Sequence, residues 1–313
     1  MCGIVGGITN RDITPLLIEG LKRLEYRGYD SSGIALLTKN NTFKRARSVG
    51  KVKNLEKNLT TRKNKIKGNI GIAHTRWATH GEPSEKNAHP HISNNTISIV
   101  HNGIIENYLE LKDSQLKQGY SFTSDTDTEV IAHAIEFAMQ SNDSFVKSVQ
   151  KAITTFDGAY GLGIISPNYP NTIIAARKGS PLVIGIGENG NYIASDQLAL
   201  LPVTKEFIFL EEGDIAELNL DKITIYDKDG IEVNRPIKTS KIKEGEVNLG
   251  NYKHFMQKEI FEQPQAIRDT LESRITKESV LVSAFGYKAK NIFKNIKQVQ
   301  IVACGTSYNA GLV

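Results

Sequence analysis

The sequence predicts an α+β fold in which two β-sheets pack face to face in a layered domain with helices. The first observation is that the first 240 residues or so are dense in short apolar runs bounded by Gly, Asn or Asp, as strands are. The second is that residues 14–26 and 127–138 repeat apolar side chains at helical spacing. Strands in two clusters with helices between them predict a layered domain whose sheets pack face to face.

The predicted strands follow one another closely along the chain. They are, in order, CGIVGGIT, SGIALLT, IGIAHTRW, ISIVHNGII, AYGLGII, NTIIAAR, PLVIGIG, NYIASD, FIFLEEGDIAEL and KITIYD. Thr126 or Asp127 is expected to cap the helix at 127–138. The Lys-rich segment 51–67 is typical of a solvated helix or loop.

The character of the chain changes near Lys238, where a polar, Gly-containing segment predicts a linker. A helical stretch follows, in which Pro264 predicts a break or a new helix start. The last residues predict a helix, the strand VQIVACG and the start of another helix. We therefore expect a first domain at 1–240, a linker and helical segment at 241–278, and the truncated start of a second α/β domain at 279–313.

Composition excludes several classes of protein. The chain has 313 residues, a net charge of +5 and a pI near 8.9, without basic runs interleaved with aromatics, so no nucleic acid is expected as a partner. No signal peptide and no apolar run of about 20 residues is present, which argues against a membrane partner. The only two cysteines, Cys2 and Cys304, lie far apart, which indicates a reducing cytoplasm rather than a disulfide framework. We expect Cys304 to be a buried residue at the end of a strand.

Cys2 is the first candidate for catalysis, because it directly follows the initiator methionine. Removal of Met1 would give Cys2 a free α-amine with a pKa of about 7.7–8.0 beside its own thiol. That amine can act as the base for the nucleophile, as in N-terminal threonine enzymes. On position alone, however, a chance cysteine or a small buried hydrophobic one is the more ordinary explanation.

A second cluster, HTRWATHGEPSEKNAHPH, holds four of the seven histidines. One hypothesis is a metal site, since His89 and His91 would point the same way from a strand, but the spacing matches no common zinc pattern. Hydrogen-bonding histidines in loops are the simpler interpretation. The functional alternative is a loop over an active site, with Arg76 for a carboxylate and Trp77 as a lid.

Two further motifs allow a structural and a chemical interpretation. Asn102 and Gly103 follow an apolar strand and would usually mark a hairpin turn, but they could also supply the two donors of an oxyanion hole. In SDTDTEV, acidic side chains precede a helix and either cap it or bind the ammonium of an amino acid.

Together these signals describe a site for a small zwitterionic amino acid with a side-chain amide. Arg76 would bind the α-carboxylate and Asp127 the α-ammonium, while Cys2 attacks the carbonyl. The developing oxyanion would face Asn102 and Gly103. Glutamine is the natural candidate.

The sequence also resembles the glutamine–fructose-6-phosphate aminotransferase (isomerizing) family, the glucosamine-6-phosphate synthases. The segments that carry the resemblance are MCGIVGG, LEYRGYDSSG, HTRWATHGEPS, HPH, VHNGIIEN, SDTDTEVIAH, GSPLVIG, ASDQLALLP, FLEEGDIAE and QKEIFEQP. They run through the whole chain. Related class II amidotransferases share the N-terminal cysteine and the Asn-Gly pair, and one of those with another acceptor is the alternative.

The resemblance implies an N-terminal-nucleophile hydrolase fold, an α/β/β/α sandwich, and the roles given above for Cys2, Arg76, Asn102, Gly103 and Asp127. It further implies that Thr79 and His80 hold glutamine, that Trp77 gates ammonia and that Arg27 lies near the site, all without a cofactor or metal. The ending VACGTSYNAG resembles the start of a sugar-isomerase domain, in which Thr306 and Ser307 would contact a sugar phosphate.

The same resemblance implies a division of labour between this chain and a longer enzyme. The family's isomerase domain is far longer than the stretch present, so we expect a glutaminase half-reaction here. Fructose 6-phosphate would be the acceptor only in the full-length enzyme, a homo-oligomer that makes glucosamine 6-phosphate. Two other hypotheses are an inactive fragment and a non-catalytic metal- or ligand-binding module built on the histidines.

Overall fold

The computed structural model describes residues 2–61, 66–141, 143–241, 251–271, 275–276, 279–280, 282 and 289–313, with backbone alone at 269–270. The chain divides into two compact units, Met1–Asn248 and Leu249–Val313.

The strands of the first unit coincide with the ten predicted runs, of which FIFLEEGDIAEL is split into two strands, and four further strands were not predicted. They are β1 (Gly3–Thr9), β2 (Ser31–Leu37), β3 (Phe43–Val49), β4 (Ile70–Arg76), β5 (His91–Ser93), β6 (Ile97–Ile105), β7 (Gly158–Ile165), β8 (Ile173–Lys178), β9 (Val183–Gly187), β10 (Gly190–Ala194), β11 (Glu206–Phe209), β12 (Ile215–Leu218), β13 (Ile223–Tyr226), β14 (Glu232–Val233) and β15 (Ile237–Thr239). The helices are α1 (Thr14–Arg23), α2 (Val52–Thr61), α3 (Tyr108–Lys117), α4 (Glu129–Met139) and α5 (Phe145–Ile153).

These strands form two antiparallel sheets. One has the order β15-β11-β9-β10-β1-β4-β2-β3 and the other β14-β13-β12-β8-β7-β6-β5. Apolar side chains from both sheets, among them Ile4, Ile72, Val100 and Ile165, form one buried cluster between them. The predicted face-to-face packing of two sheets is therefore confirmed.

Helices cover the outer face of each sheet. Leu17 and Leu21 of α1 belong to a buried cluster on the outer side of the first sheet. Val130 and Ile135 of α4 belong to a third cluster, which includes Leu162 of β7 in the second sheet. Each sheet thus buries both faces, and the layers are α/β/β/α.

The start of α4 corrects one expectation. The helix begins at Glu129, its N-cap residue is Thr128, and no side chain caps it by a hydrogen bond. Asp127 does not cap because its Oδ2 instead accepts the N–H of Ile105 at 2.8 Å, in the neighbouring strand β6. The pairing of distant segments outcompetes the local cap here.

The second unit contains the helices α6 (Phe255–Leu271), α7 (Ala289–Asn295) and α8 (Gly305–Leu312). Pro264 lies inside α6, so the predicted break is wrong; the helix continues past the one backbone donor that proline lacks. The predicted strand VQIVACG, at residues 299–305, is also wrong, because residues 299–304 form no strand and Gly305 begins α8. A lone strand has no neighbour to pair with. Cys304 is accordingly an exposed residue before α8 and not a buried strand end.

Among the described residues, no helix has the length and apolar character that a membrane span requires.

Candidate active site

The register of β1 and β4 brings Cys2 next to Trp77. The two strands are antiparallel neighbours with Gly3 opposite Thr75, so Cys2 falls opposite Arg76 and beside Trp77, the residue after β4. The backbone N–H of Trp77 lies 3.2 Å from Cys2 Sγ. A side chain larger than hydrogen at position 3 would meet Thr75 Oγ1 at 2.7 Å, which explains the glycine after the cysteine.

Burial raises the pKa of the Cys2 thiol, because the thiolate is poorly solvated there. The hydrogen bond from Trp77 N–H and the positive charge of Arg76 both lower that pKa, and the carboxylate of Asp127 raises it. The thiol of this chain is therefore held mainly protonated, and a base beside it is required for a thiolate to form.

The carbonyl oxygen of Cys2 accepts two side-chain hydrogen bonds. Arg27 Nε donates to it at 3.0 Å, and Asn102 Nδ2 donates at 3.1 Å. Arg27 reaches the site from the short 3-10 helix Glu25–Arg27, whereas Asn102 comes from the opposite sheet. The two donors fix the backbone of the nucleophile from two sides.

His74 determines which way the Asn102 amide faces. His74 Nε2 lies 3.0 Å from the carbonyl oxygen of His101 and 3.0 Å from Asn102 Oδ1. Since both atoms are acceptors, Nε2 carries the hydrogen, and Oδ1 of Asn102 must face it. The amide nitrogen of Asn102 consequently faces Cys2.

Gly103 lies inside β6, so the hairpin turn expected for the Asn-Gly pair is wrong. Asn102 and Gly103 pair with Gly161 and Tyr160 of β7. The φ of Gly103 is +139°, and a Cβ there would lie 1.9 Å from the carbonyl oxygen of Ala159. Only glycine fits this close approach, and the strand therefore continues through the pair without turning.

Arg76 ends β4 and points into the loop that follows. Its Nη1 donates to the Glu82 carbonyl at 3.3 Å, and its Nη2 donates to the carbonyls of His80 and of Gly81, the latter at 2.9 Å. These contacts with described residues use both Nη2 hydrogens and one Nη1 hydrogen, so the second Nη1 hydrogen and the Nε–H remain for another partner. Gly81 has a φ of +75°, a backbone conformation that favours glycine.

Asp127 and His80 lie next to each other under the same loop. Asp127 Oδ1 is 3.9 Å from His80 Nδ1, while its other oxygen accepts the Ile105 N–H. Asp127 is almost fully buried, and its charge is felt by both Cys2 and Arg76. Thr79 is exposed at the surface of the loop.

A cleft of about 450 Å³ opens above the cysteine. Of the predicted site residues, those that line it are Cys2, Arg27, Trp77, Thr79, Asn102 and Gly103. Arg76, Asp127 and the loop residue His80 are not on its wall, and the loop at 77–82 binds Arg76 through its backbone carbonyls. Two larger cavities, of about 510 and 680 Å³, contain neither cysteine nor histidine among the residues described around them.

The histidine cluster forms a buried network behind the cleft. Thr128 Oγ1 contacts His89 Nε2 at 2.9 Å and His101 Nδ1 at 3.0 Å, and Thr126 contacts His91. Burial lowers the pKa of every one of these imidazoles, so they are neutral. His91 lies on β5, so the expectation of a loop histidine is wrong there, whereas His101 lies in β6, within a run predicted as a strand. Within the described ranges, no group of three or more possible ligands is placed to hold a metal ion.

The predicted phosphate residues belong to the second unit. Thr306 and Ser307 are exposed in the first turn of α8.

Three further residues that support the site were not predicted from the sequence. His74 holds Asn102, Asp196 contacts Tyr26 and Arg27, and Asp30 accepts the N–H of Ala78 at 2.8 Å. His74 stands one position before Thr75 in a strand whose end was already a candidate, and Asp30 and Asp196 stand in LEYRGYDSSG and ASDQLALLP. The sequence shows these three residues within its motifs, but it does not show which residues they contact.

The chain is similar in sequence to a known protein domain and to named proteins. Residues 74–202 match the family model described as a glutamine amidotransferase domain. The chain is 53% identical over 313 residues to a glutamine–fructose-6-phosphate aminotransferase (isomerizing) of Haemophilus influenzae, and 53% identical over 315 residues to one of Pseudomonas putida. Both alignments cover 100% of this chain and 51% of the relative, so the chain spans about half the length of these curated proteins.

Solved structures show the same fold. Glutamine phosphoribosylpyrophosphate amidotransferase of B. subtilis aligns with a TM-score of 0.63 at 25% identity, over 72% of this chain and 49% of that one. A glutamine aminotransferase class-II domain protein from Silicibacter pomeroyi aligns with a TM-score of 0.50 at 14% identity, over 72% of this chain and 99% of that one, and shows the fold alone.

The chain thus has the N-terminal-nucleophile fold of class II glutamine amidotransferases, an α/β/β/α sandwich with a cysteine directly before its first buried strand, and residues 74–202 match a glutamine amidotransferase domain. Over its full length it is homologous to the N-terminal half of the glutamine–fructose-6-phosphate aminotransferases.

Proposed function

We propose that this chain hydrolyses the side-chain amide of glutamine to glutamate and ammonia, with Cys2 as the nucleophile. The observation that carries the proposal is the position of Cys2 Sγ, which lies in the cleft 3.2 Å from the Trp77 N–H. The amide nitrogen of Asn102 faces the same residue. A nucleophile beside amide donors is the arrangement that acyl transfer requires.

The chemistry begins when Met1 is removed and Cys2 carries a free α-amine. The amine takes the thiol proton, and the thiolate attacks the amide carbon of glutamine. Asn102 Nδ2–H and the backbone N–H of Gly103 stabilise the resulting oxyanion. The carbon–nitrogen bond then breaks, the nitrogen takes the proton from the ammonium of Cys2, and ammonia leaves a γ-glutamyl thioester. Water, deprotonated by the same amine, hydrolyses the thioester and regenerates the thiol.

Substrate binding uses the charged pair under the loop. Arg76 binds the α-carboxylate and Asp127 the α-ammonium, with Thr79 and His80 completing the pocket. Because Nη2 of Arg76 holds two loop carbonyls, a forked contact with a carboxylate requires Arg76 to release them. The loop at 77–82 therefore moves when glutamine binds, and the half-exposed Trp77 moves with it as the gate for ammonia.

The acceptor of the ammonia is fructose 6-phosphate in the full-length protein, where Thr306 and Ser307 contact its phosphate. The support for this step is the 53% identity to proteins with that name, against 25% to the phosphoribosylpyrophosphate enzyme. We further propose the domain limits 1–240, 241–278 and 279–313, an oligomeric full-length enzyme, and a cytoplasmic setting in which a free thiol persists.

The test is glutamate release from glutamine by the purified chain, after mass spectrometry confirms that Met1 is absent. We expect turnover in the wild type and in the matched control Cys304→Ala, because Cys304 is exposed in the second unit. Cys2→Ala should release no glutamate. Activity retained in Cys2→Ala would refute the proposal, and trimmed protein without any activity would favour an inactive fragment.

A further inference from the structure

Ser195 and Asp196 follow β10 and lie beside the first residues of the chain. The backbone N–H of Ile4 donates to Ser195 Oγ at 3.0 Å, and the N–H of Ser195 donates to the Ile4 carbonyl at 3.0 Å. Ser195 is buried, so this double contact is shielded from water. It ties the chain two residues after Cys2 to the neighbouring strand.

Asp196, the next residue, contacts two side chains on the other side of Cys2. Its Oδ2 accepts the hydroxyl of Tyr26 at 2.8 Å and lies 3.6 Å from Arg27 Nη1. The Nε of that same Arg27 donates to the Cys2 carbonyl at 3.0 Å. The Asp196 carboxylate thus holds the Arg27 guanidinium, and that guanidinium holds the backbone carbonyl of Cys2.

The ion pair with Asp196 restricts the orientation of the Arg27 guanidinium. An arginine side chain loses rotamer entropy when it is held in one position, so the bond of Arg27 to the Cys2 carbonyl forms more readily when another contact already restricts the side chain. An ion pair with a carboxylate at the far end of the guanidinium restricts the same rotamers. Arg27 is only 9% exposed and Asp196 is 25% exposed, so the pair is partly shielded from solvent.

We propose that Asp196 is a positioning residue for Cys2 that acts through Arg27, and this role rests on the hydrolytic function proposed above. Asp196 touches no reacting atom. It keeps Arg27 in place, Arg27 keeps the Cys2 carbonyl in place, and the thiol stays within reach of the Trp77 N–H. Displacement of the nucleophile by a fraction of an ångström lowers the rate of the chemical step rather than the affinity for substrate.

Asp196 also accepts the N–H of Leu198 at 3.0 Å and begins the short helix Gln197–Ala199. The variant that separates the two roles is Asp196→Asn, because an asparagine oxygen still accepts that N–H whereas the charge that holds Arg27 is lost. The matched control is Asp12→Asn. Asp12 likewise accepts a local backbone N–H, that of Thr14, but does not line the cleft of Cys2.

The kinetic experiment measures kcat and KM for glutamine in the trimmed full chain. We expect Asp196→Asn to lower kcat roughly tenfold with KM within about twofold, and Asp12→Asn to match the wild type. Arg27→Met should lower kcat at least as much. The double variant Arg27→Met with Asp196→Asn should be no slower than Arg27→Met alone, because both changes remove the same bond. A wild-type kcat in folded Asp196→Asn, or losses that multiply in the double variant, would overturn the proposal.

A second readout does not depend on turnover. Alkylation of Cys2 by iodoacetamide, followed over pH by the mass of the N-terminal peptide, reports the thiolate fraction separately from Cys304. The charges of Arg76 and Asp127 that act on the thiol are the same in all variants. We expect the midpoint of the profile to move upward in Asp196→Asn, since a displaced thiolate loses the Trp77 hydrogen bond, and to stay in place in Asp12→Asn. If the wild type releases no glutamate, the proposed function fails but this shift still tests Asp196, and an unchanged midpoint overturns its role.

Discussion

His74 Nε2 donates to Asn102 Oδ1 at 3.0 Å, and this bond orients the amide that faces the nucleophile. The carbonyl of His101 fixes the tautomer of His74, so the orientation does not depend on pH near neutrality. The buried imidazole of His74 thereby orients the amide donor of Asn102, although His74 itself is not a donor to the substrate.

We expect His74→Leu to lower kcat for glutamine hydrolysis by roughly ten- to a hundredfold with little change in KM, since removal of an oxyanion donor costs about a hundredfold or more. His74→Gln should recover part of the rate, because its amide nitrogen can still donate to Asn102. The control is His133→Leu, since His133 is equally buried but contacts Ser93. A folded His74→Leu variant with wild-type kcat would contradict the assignment.

Gly103→Ala tests the close approach of β6 to Ala159. The new Cβ would lie 1.9 Å from a carbonyl oxygen at a φ of +139°, so we expect the free energy of unfolding to fall by roughly 3 kcal/mol, with loss of activity. Gly119→Ala is the matched control, because Gly119 has a φ of +91° but no atom within 4 Å. It should lose about 1 kcal/mol. Equal urea midpoints for the two variants would show that the backbone around Ala159 accommodates the new Cβ and would contradict the prediction.

The buried histidines predict a loss of stability in mild acid. Burial lowers the pKa of His74 to about 3 and the pKa values of His89 and His91 well below their usual range. An unfolded histidine titrates near pH 6.5, so below that pH the unfolded chain binds more protons than the folded one. The free energy of unfolding should therefore keep its full value above about pH 6.5. Below about pH 6.5 it should fall by about 1.4 kcal/mol per pH unit for each such histidine.

Urea unfolding of the wild type at about pH 7.5 and about pH 5.5 measures this loss. Replacement of His254, an exposed histidine of the second unit, by glutamine should leave the difference unchanged. The same free energy of unfolding at both pH values would show that these imidazoles are not held neutral.

Arg235 and Asp214 form a two-point ion pair that anchors the segment after β14. Arg235 Nε and Nη2 donate to the two oxygens of the fully buried Asp214 at 2.9 and 2.8 Å. Arg235→Met would leave that carboxylate without its counter-ion, so we expect a loss of about 2 kcal/mol in the free energy of unfolding. Lys228→Met removes an exposed ion pair with Asp229 and should leave the urea midpoint unchanged. Similar urea midpoints for both variants would contradict the prediction.

Much of the fold could be read from the sequence because its signals are local. Short apolar runs bounded by turn residues predicted the strands, and the leucines of α1 predicted a buried helix face that the structure shows. The failures are equally informative. Asp127 was expected to cap a helix and instead binds the N–H of Ile105, which lies 22 residues away in the chain.

The sequence by itself determined the candidate nucleophile, the residue types around it and the family, because these depend on a motif whose members are written in the chain. Only the tertiary structure decided that Asn102 and Gly103 continue a strand, that His74 orients the Asn102 amide and that Asp196 reaches Arg27. Each of these depends on the register between strands or loops far apart in sequence. A shift of one residue in such a register would turn every side chain of the strand to its other face.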